Sequence, residues 1–252
     1  SVASLFLILI VGSLSLLLGQ NSVLVNSVSE IYCNVRSVVK HYKIQNDKTN
    51  ASLIDNTFVS QERNSDYSLH TFSLGGELTR NNLSIIQNGE RIESTINGIT
   101  IIGANQHVDH STLIHHKKPN CNSYQDYKGI FGDNSVGVFN GQVMVEKEAQ
   151  KTNAFQANNN VLTSDKATIN TKPQLEIFAD DVKCSHGCTV GQLDQNALFY
   201  LRSRGIPEKE ATALLMYGFA NKVLASVGIP QVKTRINQII AKKLGVKIGF
   251  DI

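Results

Sequence analysis

Between about residue 20 and residue 190, short alternating stretches recur at intervals of roughly 8–12 residues, and polar turns rich in Asn, Gly, Asp and Ser separate them. Helical periodicity of useful length is absent before residue 190. That rhythm confines the first three quarters of the chain to an all-β sandwich, barrel or solenoid. Tyr67–Leu74 alternates, with Leu69 and Thr71 opposing Phe72 and Leu74 after a one-step slip. Val136, Val138 and Asn140 alternate before Gly141, and Val143 and Val145 resume after it. Leu175, Ile177 and Ala179 alternate with Glu176 and Phe178. Frequent Asn and Gly with few aromatics lean towards a solenoid, in which each rung stacks on the last around one aliphatic column.

The pattern changes at about residue 190. Asp194 is placed to cap a helix running to Arg204, with Gly205 just past its end. Pro207, Glu208 and Glu210 suit the first turn of a second helix. Its apolar face reads as Ala211, Leu214, Leu215, Gly218 and Phe219. A third helix opens at Pro230, with Val232, Ile236, Ile239, Ile240 and Leu244 as its stripe and Gly245 at its end. The organisation expected is a β core over residues 1–190 and a helical domain over residues 191–252. By itself, a hairpin at this place reads as a cover for the open end of the core.

Composition excludes more than it selects. A net charge of +3 without a basic cluster gives no footprint for nucleic acid or an anionic membrane. Leu5–Leu18 is almost wholly apolar but short of a bilayer span, and it lacks a basic flank and a small-residue cleavage site. It reads as two buried strands, Leu5–Val11 and Leu14–Leu18, rather than a targeting segment. The four cysteines have no disulfide-framework spacing and suit a reducing compartment. No phosphate-binding glycine loop and no nucleophile elbow is present, so nucleotide and hydrolase chemistry have no anchor.

Three residues carry chemistry at a usable spacing. On a strand, Cys184, His186 and Cys188 lie at alternate positions and therefore on one face. Thiolates and an imidazole suit iron, zinc or a nascent iron–sulfur unit. The same residues also fit an inert, buried strand face, since free Cys packs as a small hydrophobe. A tetrahedral site would need a fourth ligand from elsewhere, which favours a shared site over an autonomous one. His107, Asp109, His110, His115 and His116 form a second cluster without a specific spacing and read as a polar rung surface. Asp180-Asp181 reads as a turn between rungs, and Gly75-Gly76 as a turn with positive φ.

Asp180-Asp-Val-Lys-Cys-Ser-His-Gly187 followed by Phe199-Tyr-Leu-Arg-Ser-Arg-Gly-Ile206 resembles the C-terminal signature of the SufB/SufD family of iron–sulfur cluster assembly scaffolds, in its SufD branch. Further blocks match the family in order: Tyr42-Lys-Ile-Gln45, Gly75-Gly76, Arg80-Asn-Asn-Leu83, Gln106-His-Val-Asp109, Pro119-Asn-Cys121, Tyr127-Lys-Gly129, Gly137-Val-Phe-Asn-Gly141 and Gln150-Lys-Thr-Asn153. The resemblance implies a right-handed parallel β-helix followed by a small helical domain, and a non-catalytic scaffold. It implies a SufB-like paralogue as heterodimer partner, or a homodimer without it, and a SufC-like ABC ATPase docked on the helices. For that contact it points to Phe199, Tyr200, Leu201 and Arg202, to Arg204 and Gly205, and to Tyr217 and Phe219. It implies that His186, beside Cys184, handles a transient Fe–S cluster at the SufB contact, with no cofactor bound by the isolated chain. Cys188 departs from the family pattern, where a small residue such as Ala is common. The resemblance also implies a bacterial cytoplasmic or plastid stromal setting, and an N-terminal helical region of the family that this sequence does not carry. Two other classes stay open on the residues alone: a self-contained Cys/His metal-binding protein, and a structural β-solenoid interaction module.

Overall fold

The computed structural model describes residues 6–12 and 22–245. Successive strands alternate between two sheets, and each strand from β1 to β11 pairs in parallel with the strand two positions on. The odd sheet runs β1 (Phe6–Gly12), β3 (Val38–Gln45), β5 (Asp66–Ser73), β7 (Glu93–Ile102), β9 (Asn122–Phe131), β11 (Asn153–Leu162) and β13 (Lys183–Gly191). The even sheet runs β2 (Val23–Cys33), β4 (Ala51–Gln61), β6 (Leu78–Gln87), β8 (His107–His116), β10 (Val136–Val145) and β12 (Thr168–Ile177). The molecule is therefore a parallel β-solenoid, with the core in the lumen between two facing sheets. The expected strand over Leu5–Val11 corresponds to β1, and the one over Leu14–Leu18 lies outside the described residues.

Parallel stacking puts the same register position on top of itself turn after turn. Val59, Ile85, Ile114 and Val143 form one aliphatic column inside the even sheet, all buried. Each such side chain removed from water is worth about 1.5–3 kcal/mol. Interior glycines appear where a large neighbour needs the space: a Cβ on Gly98 would lie 2.2 Å from the Tyr127 ring.

Corners repeat as strictly as strands. Between β2 and β3, β4 and β5, β6 and β7, β8 and β9, and β10 and β11 stands one residue in the left-handed conformation: Arg36, Asn64, Arg91, Asn120 and Lys151. The backbone N–H of Arg36, Asn64, Asn120 and Lys151 donates to a carbonyl one turn further on, at Arg63, Glu90, Gln150 and Asp181. Those bonds offset a conformation that L-residues otherwise avoid.

The odd sheet is covered on its outer face. Helix α2 (Glu208–Leu224) and helix α3 (Pro230–Leu244) lay Ala220, Val223, Leu224, Val232, Ile236 and Ile240 on Tyr42, Phe72, Leu74, Ile99, Ile101 and Ile130. Helices against one sheet face bury both faces of those strands. That explains Tyr67–Leu74 without a slip: Tyr67, Leu69 and Thr71 face the lumen, whereas Phe72 and Leu74 lie under the helices. It also corrects the reading of the hairpin as an end cover, because these helices pack against the side of the solenoid. The expected stripe of α2 is displaced as well. Leu214 and Gly218 are exposed, and the buried face is Ala211, Ala213, Ala220, Val223 and Leu224. Apolar residues surround much of this helix, so the sheet beneath it selects the face. The stripe of α3 holds, with Gly245 at φ 72° closing the helix.

Candidate functional site

Helix α1 (Gln195–Ser203) begins just after β13, and Asp194 caps it by accepting from the N–H groups of Asn196 and Ala197. The strand before it is the last turn of the odd sheet, so β13 has β11 on one side and no described strand on the other. Cys184, His186 and Cys188 stack in register on Ala154, Gln156 and Asn158, which are buried lumen residues. All three therefore share the lumen-facing side of the strand, as their alternate spacing requires. Because the solenoid ends here, that side is the mouth of the lumen. Cys184 is half-buried, while His186 and Cys188 are exposed.

The three donors stand in a row. Alternate strand residues are about 6.5–7 Å apart, and among the described residues no group of three or more His, Cys, Asp and Glu side chains gathers to hold a metal ion. Burial pushes the Cys184 thiol up, against a backbone hydrogen bond at Ala154 that lowers it. A thiol held protonated is a poorer ligand than a thiolate. His186 Nδ1 lies 3.0 Å from the carbonyl oxygen of Pro173 on β12. The turn leading into β13 is tied to the preceding corner by the Lys151–Asp181 ion pair and by the Lys151 N–H, which donates to the Asp181 carbonyl.

The histidine cluster on β8 divides by strand parity. His107, Asp109 and His115 face outward, where Asp109 pairs with Arg80 and His115 with Glu146. His110 and His116 are inside, correcting the reading of the whole cluster as surface. His110 Nε2 is 3.0 Å from Thr100 Oγ1, and His116 Nε2 is 2.9 Å from Ser123 Oγ. Burial lowers the His110 pKa to about 3, with help from Lys43, and that of His116 to about 4, with help from His115.

Sequence reasoning also missed the buried polar group at the opposite end. Lys43 there forms an ion pair with Asp55 and contacts Thr57, Ser27 donates to Asp55 at 2.6 Å, and His41 lies 2.9 Å from the Tyr67 hydroxyl. Only the strand register brings Ser27, Lys43 and Asp55 together. Alternation within Tyr42-Lys-Ile-Gln45, which puts Lys43 and Gln45 on one face, was the available signal.

On the helices, Phe199 is 74 % exposed and Tyr200 57 %. Arg204 lies over the Tyr200 ring, Arg202 pairs with Glu208, and Gly205 ends the turn with φ 85°. Leu201 is half-buried. Tyr217 and Phe219 are engaged within the chain: Tyr217 donates to Asn237, and Lys128 sits over the Phe219 ring. Among the described residues no helix is long and apolar enough to cross a membrane.

A parallel two-sheet solenoid with helices on one flank, and with Cys and His donors at the mouth of its last turn, defines the class. The sequence matches the family described as "SUF system FeS cluster assembly, SufBD core domain" over residues 7–219, and the chain belongs to that family. It is 38 % identical over 216 residues to an iron–sulfur cluster assembly SufBD family protein of Synechocystis, covering 86 % of this chain and 48 % of the relative. It is 42 % identical over 175 residues to the iron–sulfur cluster assembly protein SufD of Escherichia coli, covering 69 % of this chain and 41 % of the relative. A chloroplastic protein of Arabidopsis thaliana is 36 % identical over 200 residues, covering 79 % and 42 %. The chain spans less than half the length of each of these relatives.

Proposed function

We propose that this chain forms the core of a non-catalytic scaffold subunit in a SUF-type iron–sulfur assembly complex, acting in a bacterial cytoplasm or plastid stroma. It pairs with a SufB-type subunit along its last turn and docks a SufC-type ATPase through its helices. The observation that carries this reading is the position of Cys184, His186 and Cys188, which share one face at the open end of a stacked lumen. Iron and sulfide are cargo here, not a resident cofactor. A row of donors on one strand supplies part of a coordination shell, so the remaining ligands come from the facing subunit.

The edges support the pairing. Neither β12 nor β13 has a described neighbour on its outer side, and open ladders of this kind accept a strand from another chain. Ile177, Phe178 and Val190 add exposed apolar surface around that end. For the ATPase, the exposed Phe199 and Tyr200 with Arg202 and Arg204 offer an aromatic and basic face. Tyr217 and Phe219, half-buried on α2, complete the residues assigned to that contact.

The test combines the chain with SufB-type and SufC-type subunits and measures the mass of the assembly by size-exclusion chromatography with light scattering. A stable assembly containing one copy of this chain is expected. In that assembly His186→Ala is expected to abolish accumulation of the cluster while leaving the mass unchanged. A chain that stays alone, or full cluster formation by the variant, overturns the proposal.

A further inference from the structure

The lumen near its mouth follows a rule that reaches across from one sheet to the other. On the odd sheet Gln125, Gln156 and His186 are stacked in register, and on the even sheet Thr112, Gly141 and Pro173 are stacked in register. Each member of the first column meets its counterpart in the second. Thr112 donates to Gln125 Oε1 at 2.9 Å. Gln156 extends to Gly141, where an added Cβ would lie 2.4 Å from its Nε2. His186 closes the series with Nδ1 at 3.0 Å from the Pro173 carbonyl. The imidazole thus occupies the place that a glutamine side chain fills in each of the two turns behind it.

A carbonyl oxygen only accepts hydrogen bonds, so the ring nitrogen facing it must carry the proton. In the neutral ring that fixes the tautomer, and the lone pair stands on the other nitrogen. We infer that the Pro173 carbonyl is a positioning group for His186: it holds the ring across the lumen mouth as the Nδ1–H tautomer and presents Nε2 as the atom that meets the cargo. Metal-binding histidines are commonly oriented in this way by an acceptor on the second nitrogen, which raises the basicity of the first. The acceptor here is backbone, so no side-chain substitution on β12 removes it, and the orientation follows from the solenoid's register. The inference rests on the reading of His186 as the cargo-handling residue and adds which atom does the handling.

The experiment uses the chain itself with its histidines labelled with nitrogen-15, and long-range proton–nitrogen correlation recorded above the titration range of the ring. Of the seven histidines, His186 is assigned by the loss of its signals in His186→Gln, a substitution at an exposed position. The expected pattern is a protonated Nδ1 and an unprotonated Nε2, the reverse of the form that free histidine prefers in water. A protonated Nε2, or an averaged pair of nitrogens as in a freely rotating ring, overturns the inference. Cluster accumulation by His186→Ala in the assembly tests the functional reading separately. An Nδ1–H tautomer with full activity in that variant would remove the function and leave the geometry, and the converse result would do the opposite.

Discussion

Four histidines are buried neutral within or against the solenoid, and their protonation links stability to pH. Burial is the first cause in each: it lowers His41 and His110 to about 3 and His70 and His116 to about 4, from an ordinary 6.5. Because the folded pKa is depressed, the unfolded chain takes up protons that the native chain refuses. The contribution is fully present above pH 6.5 and is lost as pH falls from there towards the folded values. Each histidine removes up to about 1.4 kcal/mol per pH unit within that window. Resistance to urea is therefore expected to fall from pH 7.5 to pH 5.5, and His110→Asn is expected to reduce that dependence. An unchanged pH profile in the variant would show that His110 is not held neutral by the fold.

Among the strands, the fit between neighbouring turns decides which residues are tolerated. Gly98 and Tyr127 occupy one lumen position on adjacent strands, and the ring fills the volume a side chain on Gly98 would need. Gly98→Ala is expected to cost about 1–3 kcal/mol through overpacking. In a Tyr127→Leu background the same substitution should cost clearly less, and a double-mutant cycle from denaturant midpoints measures the coupling. Equal costs in both backgrounds would place the strain elsewhere. Much of this level could be read in advance: the strand rhythm, the helix limits at Asp194, Gly205 and Gly245, and the shared face of Cys184, His186 and Cys188 all follow from local spacing. What escaped is what depends on neighbours far along the chain. The second buried face of β5, the true packing face of α2 and the inward turn of His110 and His116 are set by the sheet or helix opposite. The Pro173 contact of His186 escaped for the same reason, since nothing in the spacing of residues 173 and 186 brings them together.

Across the molecule, stability should be graded along the solenoid, because each turn contacts little beyond its neighbours. The middle turns have a turn on each side and, in the odd sheet, helices above, whereas β13 has one neighbouring strand and is mostly exposed. Hydrogen exchange followed by mass spectrometry should find the slowest amides in β5, β7 and β9 and the fastest strand amides in β13. Addition of a SufB-type subunit should then slow exchange in β12 and β13 selectively. Uniform protection along the strands would contradict the graded picture, and protection elsewhere would move the partner to another face.

The helices grip β3, β5, β7 and β9, while the mouth residues sit on β13, two strands past β9 in the same sheet. The offset between the two is therefore counted in steps of about 4.8 Å, the spacing between paired strands. An extra residue inside a strand would turn its columns inside out, whereas an extra complete turn would keep every column and lengthen the offset by one step. The protein is in that sense a ruler, and the reach between its helical flank and its histidine can be revised only by whole graduations.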